Sequence, residues 1–166
     1  MKNQRMLDEL TELMRIDVSS GQETEIAEHL VKKLEQMGFA ITRDEAGATF
    51  GGVGGNILAV REGERDGVVC FCSHMDRVPG GIGIKPVKED GILRSSGDTI
   101  LAADDLSGVA AILEGVRQAI ESGKALPKLE ILFTVGEEAG LYGAKAFDVS
   151  LLTSKTMYVL DSPGRI

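Results

Sequence analysis

Val68-Val69-Cys70-Phe71-Cys72-Ser73-His74-Met75-Asp76 is the stretch whose reading decides the fold. Its apolar run, bounded by Asp66-Gly67 upstream and Pro79-Gly80-Gly81 downstream, predicts a short buried strand. The run ends on a histidine with a carboxylate two positions later, and residues two apart on an extended chain share a face. His74 and Asp76 can therefore point the same way from the strand's C-terminal tip. That pairing suits a metal site, where an imidazole binds the ion and a nearby carboxylate fixes its tautomer. It equally suits a strand-end histidine hydrogen-bonded to a turn aspartate, so the pair gains weight only from its surroundings.

A chain of 166 residues can bury one real core. Tryptophan is absent and other aromatics are few, so that core must be built from Leu, Ile, Val, Ala and Met. A formal net charge of -8, with no run of Lys and Arg, argues against a nucleic-acid partner. Part of the negative charge suits cation binding, because carboxylates are ligands of hard and borderline metals. Cys70 and Cys72 lie on one strand with a single residue between them and would bridge only with strain. Buried free thiols and a reducing, cytoplasmic setting are expected. No apolar run is long enough to span a bilayer and no signal-peptide pattern is present, so no membrane partner is expected.

Upstream of the central strand, Met6, Leu7, Leu10, Leu13 and Met14 recur at helical spacing and predict a helix over 3–16. Ser20 with Glu23 reads as a capping box for a second helix, which runs to about Met37 and is stopped by Gly38. His29 lies beside that helix's apolar stripe and reads as a boundary or solvent residue. Phe39–Thr42 and Asn56–Val60 read as strands. The glycine-rich segment between them, Gly51-Gly52-Val53-Gly54-Gly55, leads into a strand rather than a helix, which excludes a dinucleotide fingerprint and leaves a flexible turn. Downstream, Gly91–Ser95 reads as a small hairpin element, 106–121 as an apolar helix, Leu129–Val135 as a buried strand, 141–147 as a short helix and Met157–Leu160 as a last strand. Helices alternating with short apolar strands predict an α/β layered fold with a mixed, largely parallel sheet, and no repeat or linker divides it.

The acids follow a common pattern. His74/Asp76, Glu137/Glu138 and Asp161 each come directly after a predicted strand, and Asp104/Asp105 stand where a loop becomes a helix. In open α/β sheets, ligands bind outside the carboxyl ends of the strands. Taken singly, Asp104 or Asp105 reads equally as a helix cap, Glu137-Glu138 as first-turn acids and Asp161 as a turn residue. Taken together, these acids would repel one another unless cations neutralise them. Metal-assisted hydrolysis uses such a set: carboxylate and imidazole ligands, and a separate carboxylate to take a proton from water.

His74-Met75-Asp76, Ala103-Asp104-Asp105-Leu106-Ser107-Gly108, Gly136-Glu137-Glu138-Ala139-Gly140-Leu141 and Leu160-Asp161-Ser162 resemble, in order and spacing, the catalytic half of the M20 family of zinc metallopeptidases, nearest its peptidase T-like, tripeptide aminopeptidase branch. The resemblance implies a three-layer α/β/α zinc-peptidase-like domain acting on short peptides. It implies His74 and Asp161 as terminal metal ligands, Asp104 as the bridge between two Zn2+ ions (Co2+ or Mn2+ being alternatives), and Glu138 as a further ligand. Glu137 would be the general base, Asp76 would orient His74, and Asp105 would stand behind the ligands or cap the helix. The family commonly has Lys at Leu106 and a small hydroxyl residue at Arg77, neither of them a ligand. Family members are longer, with an inserted lid domain, often used for dimerisation, and a returning segment that supplies a final histidine. Residues 1–166 are accordingly expected to form the N-terminal portion of such a catalytic domain, binding one metal or none in isolation. M20-type N-acyl amino acid hydrolysis is the alternative within enzymes, and a non-catalytic domain keeping only the fold or partial metal binding is the alternative outside them.

Overall fold

The computed structural model describes residues 4–161. In chain order the elements are α1 (Gln4–Met14), α2 (Thr24–Gln36), β1 (Ala40–Arg43), β2 (Ile57–Arg61), β3 (Val68–His74), β4 (Pro86–Glu89), β5 (Ile92–Ser95), α3 (Ala103–Glu121), β6 (Lys128–Thr134), α4 (Tyr142–Ala146) and β7 (Met157–Val159), with short 3-10 turns at Ala46–Phe50 and Val149–Leu151. Five strands form one sheet in the order β1-β2-β6-β3-β7, and β4 and β5 form a separate hairpin. The sheet is mixed, as the sequence predicts. β3 runs parallel to both β6 and β7, whereas β1, β2 and β6 pair antiparallel. The parallel half places the C-terminal ends of β3, β6 and β7 along one edge, with His74 in register with Thr134. The candidate acids emerge along that edge.

Period-two alternation sorts the strands between two faces. Ile57, Ala59, Ile131, Phe133 and Met75 pack with Leu13, Ile26, Leu30, Leu106, Val109 and Leu113, so α1, α2 and α3 cover one face. Each of these side chains larger than alanine contributes about 1.5–3 kcal/mol by leaving water. The opposite face is covered more thinly, with Leu58, Cys72 and Leu132 meeting Phe147 and Leu152. Glu130 also points to this face and is fully buried, yet it is not orphaned. Its carboxylate accepts the backbone N–H groups of Thr153 (2.8 Å) and Ser154 (3.0 Å), which ties the segment before β7 to the central strand. Cys70 and Cys72 are buried free thiols, their pKa values pushed up to about 12 chiefly by burial.

Three local readings change. The helix predicted over 3–16 ends at Met14 because Arg15 and Ile16 close tighter turns onto Glu12 O (3.1 Å) and Leu13 O (3.2 Å). The capping box does not form: α2 starts at Thr24, and its N-cap position Glu23 makes no side-chain cap hydrogen bond. Ser20 and Glu23 instead reach across the molecule, where tertiary partners outcompete local ones. The glycine-rich segment is packed rather than loose, with Val53 N–H donating to Gly21 O (2.9 Å) and Gly47 N–H to Gly54 O (3.0 Å).

The three long helices are also joined by charge. Glu9, almost wholly buried on α1, meets Lys33 of α2 (2.8 Å) and Arg117 of α3 (2.9 Å). His29 lies near Glu12 (3.7 Å), but the Lys33 ammonium stands 2.8 Å from both Glu9 and Glu12 and neutralises that group. Arg5 grips Glu114 through Nε (2.7 Å) and Nη2 (2.9 Å). These bonds, helped by Gln118 and Arg117 and opposed by burial, hold the Glu114 carboxyl down at about 2, below its ordinary 4.5. Because the folded value is the lower one, this stabilisation is complete above about pH 4.5 and is lost as the pH falls toward 2. Glu114→Gln is expected to cost about 1–3 kcal/mol at pH 6 and clearly less at pH 3, read from urea unfolding at both values. An equal loss at both pH values would contradict the pairing.

Candidate active site

His74 is buried at the tip of β3, and its two ring nitrogens face different groups. Nδ1 lies 3.1 Å from the Asp76 carbonyl and 3.4 Å from Asp76 Oδ1. Nε2 faces Asp104 Oδ1 (3.2 Å) and Glu137 Oε2 (3.9 Å). The Asp76 side fixes the ring and leaves Nε2 as the atom aimed at the acids. Burial alone would lower the pKa of His74. The hydrogen bond and charge of Asp76, with Asp105 and Glu137 beyond it, outweigh burial and raise the pKa to about 9.

Asp76 is wholly buried and its carboxylate turns to the β6–α4 connection. Oδ1 accepts the N–H of Glu137 (3.0 Å), Oδ2 accepts that of Glu138 (3.1 Å), and the Ser20 hydroxyl also donates to Oδ2. Burial works to raise this carboxyl, but His74, Ser20 and the amides hold it below the ordinary carboxylate range. The two preceding amides are held in the same way: Val135 N–H donates to Asn56 Oδ1 (3.1 Å) and Gly136 N–H to Glu23 Oε1 (2.9 Å). Four consecutive amides leading to the two glutamates thus rest on buried side-chain oxygens from three other parts of the chain.

Asp104 and Asp105 lead α3 but depart from helical dihedral angles, so the regular helix begins at Leu106. Their side chains diverge. Asp104 is exposed and faces His74. Asp105 is buried, accepts Gly108 N–H (3.2 Å) in the manner of a cap, and receives the Ser73 hydroxyl on Oδ2. Burial, partly offset by Ser73 and His74, raises the Asp105 carboxyl to about 6. Glu137 and Glu138 are also raised, by partial burial first and then by neighbouring acids.

Of the residues predicted from sequence, His74, Asp104 and Asp161 bring ligand atoms within 4.8 Å of one another, and so do His74, Glu137 and Glu138. The two groups share the histidine. Asp76 and Asp105 belong to neither, because their oxygens are taken by backbone amides and hydroxyls. One imidazole with several carboxylates is a donor set for zinc or a similar divalent cation. The carboxylates of Asp104 and Glu137 beside Nε2 put negative charge at this point. The donor set and its charge both fit a metal. Beside it lies a cleft of about 310 Å³, lined by His74, Glu137 and Asp161 together with apolar residues such as Leu132, Phe147 and Leu152.

Sequence reasoning missed Ser20, Glu23, Asn56 and Ser73 as parts of this scaffold. Ser20 and Glu23 carried a signal, but a local one that was read as a cap. Their partners lie 56 and 113 positions away, beyond any spacing rule.

Residues 56–162 match Peptidase family M28. The chain belongs to that family. Its relatives include the uncharacterized protein YqjE of Bacillus subtilis (strain 168), 38% identical over 167 residues and covering 100% of this chain and 45% of YqjE. Among solved structures, the aminopeptidase PepT of Bacillus cereus ATCC 10987 superimposes with a TM-score of 0.94 at 39% identity, over 99% of this chain and 44% of PepT. A tripeptidase from Staphylococcus aureus gives a TM-score of 0.91 at 35% identity, over 98% of this chain and 44% of the tripeptidase. The M28 chain therefore spans less than half the length of these relatives. Its fold is that of the part of each solved structure it covers. The motifs resemble M20, whereas the matching family is M28, so the M20, peptidase T-like refinement goes beyond the family match.

Gly136 shows how tightly the M28 chain holds this connection. Its φ of +60° is a left-handed conformation, and a Cβ there would stand 2.4 Å from the Phe50 ring, which stacks on Tyr142 at 4.9 Å. Gly136→Ala is expected to destabilise the chain by about 1–3 kcal/mol, seen as a lower melting temperature. An unchanged melting temperature would mean that this backbone is not held as described.

Proposed function

We propose that the chain forms the zinc-binding part of an aminopeptidase that cleaves short peptides, of the tripeptidase kind and the M20-like branch. The observation that carries the reading is that two pairs of acids, Asp104 with Asp161 and Glu137 with Glu138, each bring ligand atoms within 4.8 Å of His74 at the C-terminal edge of the parallel strands, with Asp104 and Glu137 facing its Nε2. The likeness to a PepT aminopeptidase and to a tripeptidase supports it. In this reading His74, Asp104, Asp161 and Glu138 hold the metal, two Zn2+ ions when the ligand set is complete, with Co2+ or Mn2+ as substitutes. The buried free thiols support a reducing, cytoplasmic setting.

When bound, zinc supplies Lewis acidity toward the peptide carbonyl. The chain's own residues do the remainder. Asp76 holds His74 through Nδ1 and, through their amides, fixes Glu137 and Glu138. Glu137, which lines the cleft, takes a proton on Oε2 as water attacks the carbonyl carbon. It returns that proton to the departing amine nitrogen as the C–N bond breaks. The apolar cleft accepts a peptide side chain.

Glu137→Gln tests the division of labour among the acids. It is expected to lower tripeptide hydrolysis by about 10²–10⁴-fold while zinc content stays as in the wild type. Loss of zinc together with activity would reassign Glu137 as a ligand. Chelation is expected to lower the melting temperature of the wild-type chain, since a cation bound only by the folded state stabilises it. A chain that takes up no zinc and is indifferent to a chelator overturns the metallopeptidase reading. Hydrolysis of N-acyl amino acids in preference to tripeptides would place it with the amidohydrolases instead.

A further inference from the structure

We propose that Glu23 is a positioning residue for this site, setting where Glu137 and Glu138 stand by holding the backbone that precedes them. The inference rests on the peptidase reading and deepens it. Glu23 is 1% exposed and lies immediately before α2. A single oxygen, Oε1, accepts both the Gly21 N–H (2.8 Å) and the Gly136 N–H (2.9 Å). The other oxygen, Oε2, is buried without a hydrogen-bond partner among the described residues. A buried carboxylate with one oxygen unpaired is a costly group, and neither oxygen caps the helix it adjoins. Its visible use is the joint grip on Gly21 and Gly136.

That grip falls at a decisive point. Gly136 is buried, carries a positive φ, and is where the chain leaves β6 and turns to present the two glutamates. Without Glu23 its N–H would lack its acceptor inside the protein. The short segment 20–23 also holds the connection from a second direction, because Ser20 donates to the Asp76 carboxylate that accepts the next two amides. The segment is itself fastened, with Gly21 O accepting Val53 N–H (2.9 Å) and α2 following directly. Glu23 thus ties the start of a core helix to the loop that carries the base and a ligand. It acts on Glu137 and Glu138 only through backbone and does not enter either ligand group.

Glu23→Ala and Glu23→Gln separate this role from alternatives, because Gln keeps the Oε1 acceptor and nearly the same shape while removing the charge. The readouts are amide hydrogen exchange at residues 136–138, zinc affinity by competition with a chelator, and kcat and KM on a tripeptide. In E23A, exchange at 136–138 is expected to quicken about tenfold while the Ile131–Phe133 amides keep their protection, and zinc affinity to fall about tenfold. Its kcat is expected to fall about 100-fold, with KM holding within about threefold. E23Q is expected to recover most of each loss. An E23A chain with wild-type exchange at 136–138 and wild-type zinc affinity overturns the proposal. So does an E23Q chain that loses zinc affinity and kcat as fully as E23A while its amides stay protected, since charge and not position would then matter. Should far-UV circular dichroism show E23A unfolded, E23D, too short to reach both amides, takes its place with the same expected pattern. If the zinc-loaded wild type hydrolyses no peptide, the peptidase reading falls, while exchange and zinc affinity still decide the role of Glu23.

Discussion

The carboxylate of Asp76 is the interaction on which the site depends. It is wholly buried, lies against His74, and accepts a hydroxyl and two successive backbone amides. Hydrogen bonds to an ionised, buried acceptor are among the stronger ones a protein makes. They also tie two strand ends and an N-terminal loop to one another. A charge in this position would be a liability if it were left unpaired. Here nearly every lone pair is used, and the two glutamates that follow have little freedom in where they stand.

The sheet makes that arrangement available. Its parallel half aligns the carboxyl ends of β3, β6 and β7, so residues far apart in sequence leave the core side by side. The antiparallel half contributes differently. Asn56, just before β2, holds Val135 N–H and donates to Gly143 O (2.9 Å), bracing the same connection from its far side. Rigid scaffold on one side and a crowd of acids on the other is the balance a metal site needs: supports that do not move, and negative charge that seeks a cation.

Much of this was legible in the chain. The apolar runs at 68–72, 129–135 and 157–160 marked the three parallel strands, and the acids that follow them marked the edge where a site would form. The regular part of α3 begins at Leu106 as its apolar spacing predicts. The readings that changed have one physical cause. Ser20 and Glu23 have the spacing of a cap, but in the folded chain a buried carboxylate and a buried amide offer them better partners. Likewise the glycines of 51–55 looked loose only because the segment packed against them, around Gly21, is remote in sequence.

The sequence by itself determined the class of fold, the strands whose ends carry the chemistry, and which side chains could bind a cation, because period and residue type are local properties. Only the tertiary structure decided how the acids divide. Asp104, Asp161, Glu137 and Glu138 face His74, while Asp76, Asp105 and Glu23 are spent on backbone amides. That division depends on which donors each carboxylate meets once the chain has closed, and no spacing within one strand or helix encodes it.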